Sequence, residues 1–306
     1  MSETVSAPTT VSAAPRPGAV RPELQAVLAC PVCHGPLDFG AAITCRSCRR
    51  QYSRANGVPR LFHPESIFGG ETAAPAPSAA ATTGGRAAQA MRDWLPSMTT
   101  WVDETIFRAL NERCTDDMLV LNLGSGIGRF DDRIRASLRD RLIQMDVTPS
   151  PSVELLADGH FLPFADNSLD GVFSNAVLEH VQRPWIVAAE ISRVLKPGGT
   201  VFISVPFLNV IHDEHDYFRF TDKALRVLFP GFTPVAAGVS AGGGSFINTF
   251  LIEYAACFVP GGPVRKGLRY VLSFVLSPTK YLDRLIGRSD HLRVTADAFY
   301  FVGVKT

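Results

Sequence analysis

Two histidines, three acids, a tyrosine and an arginine fall within the ten residues from His212 to Thr221. An imidazole titrates near neutral pH and a neighbouring carboxylate can orient it, so such a set suits removal of a proton from an acceptor group. His212, His215 and Asp216 are the candidate base and its partner, with His180, next to Glu179, as a further candidate upstream. His212 and His215 stand at i, i+3, a spacing that suits a metal on a helix, but no helix signal covers them. The bland alternative is that Asp216, Tyr217 and Arg219 anchor a loop. Four cysteines form a second set, Cys30-Pro31-Val32-Cys33 and Cys45-Arg46-Ser47-Cys48. Two C-x-x-C turns separated by a short hairpin point four thiolates at one place, the pattern of a closed tetrahedral zinc site with no open catalytic position. The third set is Gly124, Gly126 and Gly128, followed at intervals by Asp146 and Asp158.

These residues need strands and turns to bring them together. Leu119, Val120, Leu121 and Leu123 suit a buried parallel strand that breaks into the glycines, where the backbone can turn sharply and approach a ligand. The spacing is G-x-G-x-G, which differs from the G-x-G-x-x-G that seats a dinucleotide pyrophosphate. Asp146 ends the next apolar stretch, Leu142 to Asp146, about twenty residues on, as expected of an acid that reaches a ribose diol. Asp158 and Gly159 end a third stretch from Val153, and Leu169 to Ser174 reads as a fourth strand. Lys196-Pro197-Gly198-Gly199 caps a helix before a fifth strand, Thr200 to Val205. Thr221-Asp222 looks like an N-cap for a helix over Lys223 to Phe229. Ala298 to Val304 reads as a last strand closing the sheet edge antiparallel. Together these elements describe an α/β domain with a nucleoside site that lacks a phosphate cradle.

The run LNLGSGIG, QMD, ADGHFLPFADNSLDGVFSNAVLEHV, RVLKPGG resembles class I S-adenosylmethionine-dependent methyltransferases of the type 11 kind, closely from Trp94 to Val205. The resemblance implies a Rossmann-like class I methyltransferase sheet with flanking helices. It also implies that Gly124, Gly126 and Gly128 border the methionine part of the cofactor, Asp146 binds the ribose hydroxyls and Asp158 faces adenine, with His160 and Phe161 beside that ring. Ser125 and Gly159 share those turns. Asn175 follows the fourth strand, without the Pro-Pro-Tyr context of amino-methylating enzymes, and joins the expected cofactor-binding set. Two departures stand out. Asn122 occupies a position usually acidic in the family, so contact with the cofactor's ammonium would be neutral or come from elsewhere. Val147 to Ser152 carries two prolines and leaves no room for the usual long helix. Glu179-His180 resembles the pair of ubiquinone-pathway O-methyltransferases, but their further Glu is replaced here by Ala176, which argues against a catalytic divalent metal. His180 would then order the cofactor-side helix. The segment PF…H…DYFRFT resembles bacterial methyltransferases whose acceptors are often sugars, lipids or secondary metabolites.

Residues Leu28 to Phe62 resemble the zinc-ribbon family of small activators of tRNA methyltransferases. A unit of roughly forty residues is too small for an adequate core, so zinc would supply much of its folding energy. His34 adjoins a ligand, although four thiolates already suffice. Cys114 and Cys257 have no partners in spacing and read as ordinary buried thiols.

The chain of 306 residues divides on this reading into a disordered tail (1–22), the zinc ribbon (23–63), a linker (64–88) rich in Ala and Pro, and a methyltransferase domain (89–306). The first twenty-two residues lack the basic start and apolar core of a secretory signal, which predicts a cytoplasmic protein. Lys plus Arg number 30 against 29 Asp plus Glu, a net charge of +1 that gives no electrostatic argument for nucleic acid. Gly231 to Ile252 is free of charged side chains but contains Pro234 and a triple glycine, so it cannot be a continuous spanning helix. Thr249 to Val259 and Leu268 to Leu276 would be core helices, a lid over a greasy substrate, or a peripheral membrane patch.

The expected function is O-methylation of a small molecule, sugar or lipid-linked precursor, with S-adenosylmethionine as cofactor and structural zinc. A protein partner could dock on the ribbon. An rRNA or tRNA methyltransferase is the rival within the class, disfavoured by the charge balance and the greasy C-terminal region. A non-catalytic adaptor built on a methyltransferase scaffold is the rival outside it, and Asn122 is the feature that favours it.

Overall fold

A computed structural model describes residues 20–69, 104–115, 117–126, 138, 141–281, 283 and 290–306. The tail to residue 19, most of the expected linker and Gly128 lie outside the described residues. Helix α1 (Pro22–Val27) starts on a proline, whose fixed φ suits the first helical turn. It leads into a small antiparallel sheet of β1 (Leu37–Phe39), β2 (Ile43–Cys45) and β3 (Gln51–Tyr52), followed by the hairpin of β4 (Arg54–Ala55) and β5 (Val58–Pro59). Helix α2 (Glu104–Arg113) precedes the large sheet.

That sheet begins with the parallel strands β6 (Val120–Leu123), β7 (Leu142–Asp146) and β8 (Leu155–Leu156). It continues through β9 (Leu169–Asn175), helix α3 (Pro184–Val194), β10 (Leu195–Pro206), helix α4 (Asp222–Leu228) and β11 (Phe232–Ala241). A hairpin of α5 (Gly243–Ala256) and α6 (Pro263–Leu276) is inserted before β12 (Ala298–Lys305). The strand order is β11-β12-β10-β9-β6-β7-β8. The Rossmann-like sheet predicted from the sequence is therefore present, and the order reverses beside β6, where open α/β sheets bind ligands at their carboxyl ends. One expectation changes. β12 does not close the edge but lies antiparallel between β10 and β11, and β11 is the edge. Its run of five buried residues, Phe299 to Gly303, suits a position with a neighbour on each side. Thr221 caps α4 as predicted, its Oγ1 accepting from Ala224 N at 3.2 Å.

The ribbon's apolar residues do not make a core of their own. Leu24, Leu28, Leu37, Ile43 and Leu61 join one continuous cluster with Leu121, Ile143, Leu155 and Phe164 of the large sheet. Ala29 N donates to Pro163 O at 2.9 Å and Leu61 N to Leu156 O at 2.8 Å. The other face of the sheet is covered by Ile106, Phe107 and Leu110 of α2, against Phe173 and Phe202.

Of the C-terminal apolar segments, α5 buries one face through Asn248, Ile252 and Ala256, and neither helix is enclosed in the core. α5 exposes Ile247, Phe250, Leu251 and Tyr254, and α6 exposes Val264, Tyr270, Val271, Phe274 and Val275 while burying only Ser273 among its described positions. Among the described residues no helix is long and apolar enough to cross a membrane. Cys114 is buried as expected, whereas Cys257, at the end of α5, is exposed.

Candidate active site

The residues expected on the cofactor side come from three strand ends. Past β6 the backbone enters the left-handed region at Gly124 (φ 71°) and Gly126 (φ 56°). A Cβ at Gly124 would stand 2.3 Å from Val177 Cγ2, so glycine is required for the loop after β9 to close against this turn. A Cβ at Gly126 would meet nothing within 4 Å among the described residues. Asp146, at the end of β7, accepts from Gly126 N at 2.7 Å and Thr148 N at 2.8 Å. Burial pushes its carboxyl above the ordinary range, partly offset by those amides. Asp146 and the glycine turn are thus brought together as the sequence predicted. Ser125 Oγ is buried there and has no hydrogen-bond partner among the described residues.

Asn122 is placed differently. Its amide Nδ2 donates to Gln144 Oε1 at 2.7 Å inside the sheet, and the residue is 5% exposed. Asp158 ends β8 and caps the turn Gly159–Phe161, accepting from His160 N at 2.9 Å and lying 2.8 Å from His160 Nδ1. Its other oxygen accepts from Ser66 Oγ at 2.7 Å. Burial alone would raise the Asp158 carboxyl, but the bonds from His160 and Ser66 hold it below the usual range. His160 Nε2 is buried without a partner. His63 stacks on Phe161, with ring centroids 4.0 Å apart. Sequence reading missed Ser66, because residues 64–69 read as the start of a linker, and His63, the last residue of the expected ribbon, because it belongs to no motif. They instead pack against this turn. A cleft of about 410 Å³ opens nearby between the ribbon's first cysteine turn and α3, lined by Val32, His34, His63, Phe161 and Trp185.

The residues expected on the acceptor side lie past β9 and β10. Ala176, with φ 55°, ends β9 in the left-handed region, and its N–H is tied to Ser204 O at 2.9 Å. The chain then turns through Leu178–His180, so that Glu179 is fully buried and His180 reaches the loop that follows β10. His180 Nε2 lies 3.1 Å from His212 Nε2. His180 Nδ1 bonds to His215 O at 2.8 Å. His212 Nδ1 lies 3.2 Å from Asp216 Oδ2 and 3.3 Å from Val210 O. Asp216 is gripped by both terminal nitrogens of Arg219, which holds its carboxyl down to about 2. Arg219 also bonds to Asn209 O and Val210 O, so this ion pair fixes the loop's path. Asp216 thus anchors the loop through Arg219 and also lies beside His212 Nδ1. Burial pushes Glu179 up to about 8, and neither of its oxygens has a hydrogen-bond partner. His215 contributes its backbone carbonyl, while its exposed ring lies parallel to Tyr217 at 6.3 Å, outside the His180–His212 contact. The paired imidazoles are therefore His180 and His212, residues 32 apart in sequence, whose proximity has no local signal. Asn175, the last residue of β9, lies in register with Ser204 of β10.

Behind the loop, Asn209 Nδ2 donates to Asp297 Oδ1 at 3.1 Å. Burial raises Asp297 to about 7. A carboxyl whose folded pKa lies above its unfolded value favours the fold when protonated, so stability is lost as pH rises from roughly 4 to about 7. Asp297→Asn keeps the bond to Asn209 and removes the ionisation. Its melting temperature is expected to exceed the parent's by roughly 5 °C at pH 8, the gap shrinking towards pH 4. A constant gap across that range, read by calorimetry, would contradict the assignment.

The four ribbon cysteines converge, with Cys33 and Cys45 sulfurs 3.5 Å apart and Cys30 and Cys48 sulfurs 3.7 Å apart. Both turns have the same form. His34 N bonds to Cys30 O and Arg49 N to Cys45 O, with His34 and Arg49 each at positive φ. A donor set of four thiols within 4.8 Å of one another fits zinc.

Residues 121–203 match the family model described as methyltransferase domain. Over 57 residues the chain is 49% identical to an uncharacterized methyltransferase of Mycobacterium tuberculosis, covering 19% of this chain and 22% of that protein. It is 32% identical over 154 residues to the malonyl-[acyl-carrier protein] O-methyltransferase of Hahella chejuensis, covering 46% and 54%. The chain thus spans about a fifth to a half of the length of these curated relatives. Among solved structures, one chain of the complex between the Haloferax volcanii Trm112 methyltransferase activator and a methyltransferase aligns with a TM-score of 0.43 at 20% identity, over 65% of this chain and 88% of that one. Phosphoethanolamine N-methyltransferase 2 of Haemonchus contortus aligns at 0.42 with 18% identity, over 66% and 52%.

Proposed function

We propose that this protein transfers a methyl group from S-adenosylmethionine to an oxygen of a small, sugar or lipid-linked acceptor. The observation that carries the reading is the convergence of the left-handed Gly124–Gly126 turn and the Asp146 carboxylate at the sheet's switch point. The residues fit an adenosine-bearing ligand. Among the described residues nothing would meet a Cβ at Gly126 within 4 Å, and Ser125 Oγ and His160 Nε2 are buried polar atoms without hydrogen-bond partners at the two turns. Gly124, Gly126, Ser125 and Asp146 would hold the cofactor, and Asp158 would join them once Ser66 moves aside. What the cofactor supplies is an electrophilic methyl group on a sulfonium.

The chain's own residues align and deprotonate the acceptor. His212, oriented by Asp216 and Arg219, stands at the edge past β10 with its Nε2 turned towards His180. An apolar or lipid-linked acceptor is favoured by the exposed face of α5 and α6. That face carries Phe250, Tyr254, Val271 and Phe274, and the cations of 243–276 (Arg265, Lys266 and Arg269) outnumber its one acid, Glu253. Structural zinc in the ribbon completes the reading.

Loss of a charged contact to the ribose costs roughly 1–3 kcal/mol. Asp146→Ala is therefore expected to weaken S-adenosylmethionine binding about ten- to hundredfold by calorimetry, with the thermal midpoint checked to show that the domain still folds. Unchanged affinity removes Asp146 from the site.

A further inference from the structure

We propose that Glu179, His180 and His212 hold a divalent transition-metal ion at the acceptor edge, leaving coordination positions open for an acceptor oxygen. The acceptor's role rests on the methyl-transfer reading, but the ion site itself does not; with the ion bound, His212 Nε2 is a ligand, and the ion in place of a free imidazole makes the acceptor proton labile. The neighbours of each ring fix where the imidazole protons sit. His180 Nδ1 is 2.8 Å from a backbone carbonyl, which can only accept, so this nitrogen carries the hydrogen. His212 Nδ1 faces only acceptors as well, the Asp216 carboxylate at 3.2 Å and Val210 O at 3.3 Å. Both rings therefore turn their lone-pair nitrogens, Nε2, towards each other at 3.1 Å. Two lone pairs at that distance repel unless a cation lies between them.

Adjacent donors around an ion with nitrogen ligands about 2.1 Å away stand about 3–3.4 Å apart, and the two Nε2 atoms meet that condition. Glu179 supplies the third donor. Its carboxylate is fully buried, both oxygens lack hydrogen-bond partners, and Oε1 lies 3.8 Å from His180 Nε2. Such a buried carboxyl, beside two imidazole lone pairs, has only Arg219 as a nearby cation, and that guanidinium is committed to Asp216. All three donor atoms lie within 4.8 Å of one another. Each histidine's outer N–H is held by a carbonyl or a carboxylate, the arrangement that fixes metal-ligating imidazoles. Two imidazoles and one carboxylate suit the manganese-to-zinc series and leave positions open, unlike the closed four-thiolate ribbon. Ala176 does not weigh against this, because the third ligand is His212, brought in from the loop after β10.

The test uses the full chain with zinc already in the ribbon. The protein is dialysed against cobalt(II), and both metals are counted by elemental analysis and followed by visible absorption. One zinc and one cobalt per chain are expected, with d–d bands of a nitrogen/oxygen site and no intense sulfur-to-cobalt charge-transfer band. His212→Ala, at a part-exposed position that tolerates truncation, and the isosteric Glu179→Gln are each expected to weaken cobalt binding at least tenfold while the zinc stays. No retained cobalt in the parent overturns the proposal and leaves a shared proton between the imidazoles. Cobalt held equally by both variants overturns it too. S-adenosylmethionine affinity measured on the same samples reports separately on the methyl-transfer reading.

Discussion

His212→Ala is expected to lower turnover by roughly 10²–10⁴-fold while leaving S-adenosylmethionine affinity near that of the parent. The separation follows from geometry. His212 sits past β10 against His180 and Asp216, whereas Asp146 and the glycine turn sit past β7 and β6. His215→Ala provides the contrast. Its ring takes no part in the imidazole pair and its carbonyl, which holds His180, survives the substitution, so its turnover is expected to fall less than tenfold, roughly the limit for a group outside proton transfer. The measurement is single-turnover methyl transfer to an identified acceptor, with cofactor binding read separately by calorimetry. Near-parent turnover in both His212→Ala and His180→Ala would place proton removal elsewhere.

Cys30→Ser with Cys45→Ser is expected to reduce ribbon zinc from one ion per chain to none, as counted on protein purified with zinc present. Structural zinc contributes on the order of 10 kcal/mol to the folding of such small units. The effect should reach beyond the ribbon. Cys30 and Cys45 are fully buried in the same cluster as Leu121, Ile143 and Phe164, and Leu61 N is bonded to Leu156 O. The thermal midpoint of the whole protein should therefore fall, and proteolysis should cut first between residues 30 and 60. Full zinc content in the double variant would remove these cysteines from the metal site. Loss of zinc with an unchanged midpoint would show that the ribbon folds independently of the sheet.

The elements that the sequence determined are those whose signal is local. Leu119 to Leu123 reads as a buried strand because its residues are continuously apolar, and Gly124 and Gly126 read as a turn because only glycine adopts positive φ there without strain. The acid ending β7, the two C-x-x-C turns and the cap at Thr221 are likewise recognised from spacing within a few residues. What sequence could not decide depends on distance along the chain. β12 lies inside the sheet instead of at its edge, because strand order is set by which faces are buried, and an apolar run reads the same in either place. The ribbon shares its core with the large sheet, since an apolar residue does not specify which apolar partner it meets. Ser66 reaches Asp158 across 92 positions and His180 reaches His212 across 32, contacts made by side chains that carry no periodic pattern. The residues able to do chemistry were legible one by one, but their pairing was decided only when Ala176 and the Asp216–Arg219 ion pair turned two separate loops towards one point.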